Sequence, residues 1–387
     1  MKKMLMVTSV PSMIALFNMD NVRLLMDMGY EVHVACNFND TSIWPEEKIT
    51  EFIHRLEELG VHYHQTEFAR SPKDVKRIMQ SFRQLDRLVK REKFRFIHCH
   101  TPVASVISRI VCHRNRVKVI YTAHGFHFYK GAPLQSWILY YLAEWLCSWW
   151  TDVLVTINKE DYKRAKKKLH AKRTVYVPGV GVDTAKFKPN TASREKKRAE
   201  LGVKKKDIML LSVGELNTNK NHETVIRALH ELGNQDVKYF ICGKGSLEGY
   251  LESLIRELNL EKQATLLGYC TDIPELCQAA DLFVFPSLRE GLPVALMEAM
   301  ASGLPCIVSR IRGNTDLIMD EDCLAEASDA EEWKQVLKNM VVRMKKGKNP
   351  YGEENRKRMN RYGISCVNQK MKQVYERMEE RGSGSEW

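Results

Sequence analysis

A chain of 387 residues exceeds what one ordinary hydrophobic core holds together, so two domains are expected. With 44% hydrophobic and 28% charged residues, the composition excludes a disordered chain. The formal net charge of +12 admits a diphosphate, an anionic membrane surface or nucleic acid as partner, but no nucleic-acid module accompanies it and the aromatics do not interleave with the basic residues, so no nucleic acid is expected.

In chain order, Met4 to Ser9 reads as a first strand. The opening Met1-Lys2-Lys3 looks like the start of a signal peptide, but its apolar part is too short and breaks at Pro11-Ser12. A helix to Met28 and a strand over Glu31–Cys36 follow. Further strands are predicted at Phe94–Cys99, Lys118–Thr122 and Val153–Thr156. Between them, the predicted helix Trp137–Trp150 holds four of the seven tryptophans. Such an aromatic stripe reads first as core, while the nearby lysine runs keep an interfacial role open. Lys163 to Lys168 leads on to Lys172-Arg173, and Arg194 to Arg198 and Lys204 to Lys206 follow. Charge runs of this kind are commonly solvated faces. The Gly- and Pro-rich stretch Val180–Asn190 reads as a linker.

The strand pattern then restarts with Ile208–Gly214, Val237–Gly243, Leu282–Phe285 and Cys306–Val308. Near-continuous apolar strands between helices predict parallel, doubly wound sheets, an α/β fold. The tail from about Cys366 to Glu380 reads as a basic helix, with Gly382 to Ser385 a flexible end. No run of eighteen apolar residues occurs, so no spanning helix is expected. The ten cysteines are scattered, several inside apolar runs such as Cys242 and Cys306. They read as buried thiols in a reducing cytoplasm rather than as metal ligands.

Ligands of open α/β sheets sit beyond the carboxyl ends of the strands. Gly214 to Lys220, Gly243 to Gly245, Ser287 to Glu290 and His124 all fall at such ends. Glu290 and Glu298 frame a loop and a small-residue helix, with Pro293 suited to the helix's first turn. A helix starting there opens free N–H groups towards the loop, as a phosphate would need. Glu298, just over one turn in, can accept two hydrogen bonds from a vicinal diol such as a ribose. Lys220 stands ahead of a helix, the unfavourable end of the dipole for a cation, and this favours a role in offsetting diphosphate charge.

Several motifs occur in one order: His98-Cys99-His100-Thr101-Pro102, Thr122-Ala123-His124-Gly125, Val177 to Asp183, Val213-Gly214-Glu215-Leu216 with Lys220-Asn221-His222, Gly243-Lys244-Gly245, Leu267-Gly268-Tyr269, the Glu290/Glu298 pair, and Arg312 to Leu317. Together they resemble the family 4 retaining glycosyltransferases over nearly the whole chain. His124 to Gly131 is most similar to the bacterial enzymes of exopolysaccharide and capsule biosynthesis. The resemblance implies a GT-B architecture, two Rossmann-like doubly wound domains facing across a cleft. Residues 1–181 would form the acceptor side and 182–365 the nucleotide-sugar side, with 366–387 a helix crossing back to the first domain.

The same resemblance gives catalytic roles to His124, Glu290 and Lys220, with Glu290 on the sugar hydroxyls. It gives nucleotide contacts to Glu298, Gly214, Gly243, Gly268, Leu292 and Pro293. His127 is a weaker candidate, and His98 and His100 read as core or loop histidines. No Asp-x-Asp appears where a metal would be needed, so no metal and no cofactor are expected beyond the nucleotide-sugar donor, UDP-linked. The acceptor would be polyprenyl-diphosphate-linked or a saccharide, on the cytoplasmic side of the membrane and in peripheral contact with anionic lipid. Two departures from the family stand out. Glu215 occupies a position where many relatives carry arginine, leaving Arg289, Arg312 or helix N–H groups to supply further positive charge. The loop Ser9 to Met13 also lacks the glycine pair common in relatives. The competing readings are a nonhydrolysing UDP-sugar 2-epimerase and a non-catalytic sugar-nucleotide-binding protein on the same scaffold.

Overall fold

The computed structural model describes residues 2–346 and 351–379, and the Gly382 to Ser385 tail lies outside them. The chain forms two compact units, the described parts of Met1–Val180 with Val367–Trp387, and Gly181–Cys366. The first contains β1 (Lys2–Val7), β2 (Tyr30–Cys36), β3 (His62–Gln65), β4 (Phe96–Cys99), β5 (Lys118–Ala123), β6 (Val153–Thr156) and β7 (Arg173–Tyr176). Its sheet runs in the order β3-β2-β1-β4-β5-β6-β7, with every pair parallel. The second contains β8 (Ile208–Val213), β9 (Val237–Cys242), β10 (Ala264–Gly268), β11 (Leu282–Phe285), β12 (Cys306–Ser309) and β13 (Leu324–Ala325), in the order β10-β9-β8-β11-β12-β13, again all parallel.

Strands β4, β6, β11 and β12 are buried along their whole length, because helices cover both faces of a parallel sheet. In the first unit one face packs Met4, Val34 and Phe96 against Val367, Met371, Val374, Tyr375 and Met378 of the helix Ile364–Glu379. The other face packs Leu5, Ile97 and Val119 against Leu85, Ile107 and Val111. All ten cysteines are free thiols, eight of them buried. No helix among the described residues is long and apolar enough to cross a membrane.

Three sequence expectations change. The stretch read as a linker is part of the second unit from Gly181 on, since the Val182 N–H donates to the Tyr362 carbonyl at 2.9 Å and its own carbonyl accepts from Ile364 at 3.2 Å. Gly181 is needed there at φ +87°, where a Cβ would come 2.7 Å from Ile364 Cα.

The basic run Arg194 to Arg198 is not a solvated face. Arg194 and Arg198 grip Asp281 at 2.5 and 2.9 Å and donate to the Ala279 carbonyl, while Lys197 pairs with Asp272 at 2.8 Å.

The aromatic helix is only half core. It runs as Leu134–Ser136, a π-helical turn Trp137–Tyr141, and Leu142–Ser148. Its inner side carries Cys147 and Glu144, and Glu144 pairs with the buried Arg109 at 2.7 Å. Leu134, Ile138, Leu139, Leu142, Leu146 and Trp149 stay about half exposed or more, because no other described element of the unit covers that stripe.

Candidate functional site

In each sheet the strand order reverses once, between β1 and β4 and between β8 and β11. Loops leaving neighbouring strands there diverge, which opens room for a ligand at the carboxyl ends. In the second unit those loops carry Lys220 and Glu290, 70 positions apart in sequence, and Lys220 Nζ lies 2.6 Å from Glu290 Oε1. The same ammonium sits 4.8 Å from the centre of the Phe285 ring.

Asparagines hold this geometry. The Lys220 N–H donates to Asn217 Oδ1 at 3.0 Å, Asn219 Nδ2 donates to the Arg289 carbonyl at 3.0 Å, and the Leu288 N–H donates to the Asn219 carbonyl at 2.8 Å. Asn221, left-handed at φ +54°, reaches the carbonyls of Pro286 and Ala327 at 3.2 and 2.6 Å. The sequence reading gave these asparagines no role of their own; their concentration in a strand-to-helix turn was the available signal.

Gly214 and Gly243 directly follow the neighbouring strands β8 and β9, and Gly268 is the last residue of β10 beside them. A Cβ on Gly214 would come 3.2 Å from the Lys220 stem, and one on Gly243, at φ +151°, would sit 1.9 Å from the Gly214 carbonyl. Their lack of side chains is what lets the Lys220 loop lie flat on the sheet.

Leu292 is buried, and Pro293 occupies the cap of the helix Val294–Ala301 rather than its first turn. No side chain caps this end, so the first N–H groups of the helix stay available. Glu298 is half-buried, with no side-chain hydrogen bond to another described residue; burial raises its pKa to about 7, against a smaller pull from Lys186. Of the cations considered in place of a residue-215 arginine, Arg312 is buried and donates from Nε to the Glu290 carbonyl at 3.2 Å, whereas Arg289 is exposed. Gly313, at φ +79°, allows that approach, since a Cβ would meet the Gly291 carbonyl at 2.4 Å.

In the first unit His124 lies just past β5 and shares a hydrogen bond with His100, Nε2 to Nδ1, at 2.9 Å. Burial holds His124 near pKa 4 and pushes His100 well down, so both rings are neutral at pH 7. His100 Nε2 is buried with no hydrogen-bond partner among the described residues. A buried orphan acceptor is tolerated better than an orphan N–H. The tautomer assigned on that ground has His100 Nδ1–H donating, which leaves His124 Nδ1–H as a free donor.

His98 is a satisfied core histidine, held by Tyr375 at 3.0 Å and Thr122 at 2.8 Å. His127 stacks on Tyr140 at 4.5 Å, beside the aromatic helix. Between β1 and β4, Thr101 adopts φ +62°, an outlier for a β-branched residue, with the Ser9 N–H donating to its Oγ1 at 3.1 Å. His100 and Thr101 are the residues the sequence reading underrated; their place directly after a strand was the clue.

Residues 17–186 match the family described as Glycosyltransferase Family 4, and residues 193–364 the one described as Glycosyl transferases group 1. The chain is 32% identical to EpsD of Bacillus subtilis (strain 168), named as a glycosyltransferase, over 97% of this chain and 96% of that protein. It is 33% identical to an Escherichia coli protein named UDP-Gal:alpha-D-GlcNAc-diphosphoundecaprenol alpha-1,3-galactosyltransferase, over 63% of this chain and 65% of that one. The solved structure of Anabaena Alr3699/HepE in complex with UDP-glucose shares the fold, with TM-score 0.78 at 18% identity over 97% of this chain and 100% of that one. Two parallel-sheet Rossmann-like units and a relative matched from end to end lead to one assignment: the chain belongs to the family 4 glycosyltransferases of GT-B type.

Proposed function

We propose that this transferase moves a hexose or N-acetylhexosamine from a UDP-sugar, with retention, to a polyprenyl-diphosphate-linked or saccharide acceptor in bacterial surface polysaccharide synthesis. The observation that carries the reading is the Lys220–Glu290 pair beside the uncapped Val294–Ala301 helix, at the switch point of the second unit. A diphosphate arriving there meets a lysine, the Arg312 guanidinium and free helix N–H groups, which stabilise the charge that builds up as the sugar–phosphate bond breaks. Before the donor arrives Lys220 is neutralised by Glu290. The diphosphate draws the ammonium away and frees the Glu290 carboxylate to accept from sugar hydroxyls. Glu298 accepts from the ribose diol. His124, neutral, serves as a hydrogen-bond donor rather than a cation. No step needs a metal or cofactor.

The first unit suits a lipid-linked acceptor. A groove of about 540 Å³ beside the exposed apolar stripe is lined by Trp137 and Tyr141, by Lys163, Lys167 and Lys168, and by Arg164 paired with Glu160 at 3.0 Å. Basic residues of this kind attract anionic lipid by ~1 kcal/mol each, and the apolar stripe adds burial in the interface. The reading therefore places the enzyme as a cytoplasmic protein bound peripherally at the inner membrane face.

Thermal shift of the pure protein against UDP-, GDP- and ADP-sugars, followed by product analysis with a polyprenyl-diphosphate sugar, tests the reading. Stabilisation by UDP-sugars and an α-linked product are expected. A second UDP-sugar, epimeric with the first and formed without acceptor, would instead show an epimerase.

A further inference from the structure

Strands β2 and β3 pair in parallel with His33 opposite His62. Side chains two residues apart on a strand share a face, so Glu31 and His33 on β2 and His62 and His64 on β3 converge on one side of the sheet edge. Glu31 Oε1 lies 3.0 Å from His33 Nε2 and 3.5 Å from His62 Nε2, and the three ligand atoms all fall within 4.8 Å of one another. Tetrahedral zinc, with bonds of about 2.0–2.2 Å, needs neighbouring ligand atoms roughly 3.3–3.6 Å apart; the two sides that meet at Glu31, 3.0 and 3.5 Å, are close to that spacing.

The supporting shell is also present. His33 Nδ1 lies 2.9 Å from His64 Nε2, so an Nδ1–H that donates to His64 turns the Nε2 lone pair towards Glu31. The His33 ring is clamped between a stacked His62 at 4.6 Å and the edge-on Phe94 at 5.1 Å.

We propose that Glu31, His33 and His62 bind one divalent transition-metal ion, zinc foremost, which ties the edge strand β3 to β2. Two imidazoles and a carboxylate are borderline donors suited to zinc, nickel or copper rather than to magnesium or calcium. The ion sits between His33 Nε2 and Glu31 Oε1 while the ring proton of His33 stays on Nδ1, donated to His64, so no proton has to leave a neutral ring. Lys3 Nζ stands 3.4 Å from Glu31 but 2.8 Å from Glu92, so it keeps a carboxylate when the ion claims Glu31. Arg91 is held off by the same Glu92 at 2.8 Å. His62 is 57% exposed, which gives the ion an entry path and leaves a coordination position open to water. The site lies towards the amino-terminal ends of its strands, whereas His100 and His124 lie beyond the carboxyl ends of theirs, so it stands apart from the proposed transfer chemistry.

Zinc titration of tag-free, chelator-stripped full-length protein, by calorimetry at pH 7.5, tests the proposal. One saturable zinc per chain is expected. Glu31→Gln and His62→Gln should each weaken it at least tenfold, while His54→Gln, on the exposed helix Glu46–Glu58, should bind as wild type. Circular dichroism of His62→Gln, a change at a largely exposed side chain, should match wild type, so its loss of zinc reports ligation rather than unfolding. No saturable zinc at micromolar concentration, or unchanged binding in the Glu31→Gln/His62→Gln double variant, would overturn it.

Discussion

Replacing Glu298 by glutamine should stabilise the protein above neutral pH and weaken its hold on UDP. The carboxyl is half-buried on a small-residue helix, without a side-chain hydrogen bond to another described residue, and burial raises its pKa from 4.5 to about 7. Below the unfolded value of 4.5 both states carry the proton and the carboxyl imposes no penalty. As pH rises from 4.5 through about 7, the unfolded state gives up its proton first, and stability is lost. At 1.36 kcal/mol per unit the loss amounts to roughly 3 kcal/mol, complete above the folded pKa. Glutamine removes this slope, so the variant should match wild type near pH 4.5 and exceed it by about 3 kcal/mol at pH 8. For a unit of 150–250 residues that corresponds to ~6–12 °C in Tm. Binding should move the other way. A carboxylate accepting from a ribose diol is worth about 1.5–3 kcal/mol, tenfold or more in Kd. Wild-type affinity for UDP should rise with pH through about 7 as Glu298 ionises, and that of the variant should not. Melting curves at pH 5 and 8, with UDP calorimetry at both, provide the measurement. Parallel pH–stability curves would show that Glu298 titrates normally, and equal UDP binding would remove the ribose from its role.

Lys220→Ala should lower turnover on the order of a hundredfold, the usual effect of deleting one preorganised charge contact to a leaving group; unchanged turnover in folded protein would sink the diphosphate role. Glu290→Gln should reduce turnover or sugar discrimination more than UDP affinity, so a variant impaired only in UDP calorimetry would contradict its assignment to the sugar. Glu144→Ala should cost about 3–5 kcal/mol, because it strands the buried Arg109 guanidinium that now pairs at 2.7 Å and lies 4.3 Å over the Tyr121 ring; chemical denaturation reads this, and a loss below 1 kcal/mol would show the charge has another outlet. Liposome sedimentation should recover more protein with anionic than with neutral vesicles at low salt, and replacing Lys166, Lys167 and Lys168 with glutamate should abolish the difference; equal recovery throughout would refute the membrane contact.

Apart from β3, β7, β10 and β13, which it did not predict, the sequence by itself determined the strands, the positions of their carboxyl-end loops and the family. These follow from local regularities: apolar runs of strand length, turn residues after them, and motifs in a fixed order. Leu282 to Phe285 matches β11 at both ends, Ile208 to Gly214 runs one residue past β8, and Met4 to Ser9 begins and ends two residues late against β1. Gly214, Lys220, Glu290 and Glu298 were legible as site candidates because loops after parallel strands are where such sheets bind ligands.

Tertiary structure alone decided which side chains meet. That β8 lies beside β11 makes Lys220 the partner of Glu290, and that β4 lies beside β5 joins His100 to His124. Likewise the pairing of β2 with β3 turns two alternating pairs, Glu31/His33 and His62/His64, into one cluster. Burial was decided at the same level. A run of positive charge looked solvated, yet Arg198 is buried against Asp281 because a carboxylate and three carbonyls wait there. An aromatic helix looked like core, yet half of it faces outward because no other described element of its unit packs over that stripe. Periodicity records what a segment can bury; only the packed unit fixes what it does bury, since that depends on partners far away in the chain.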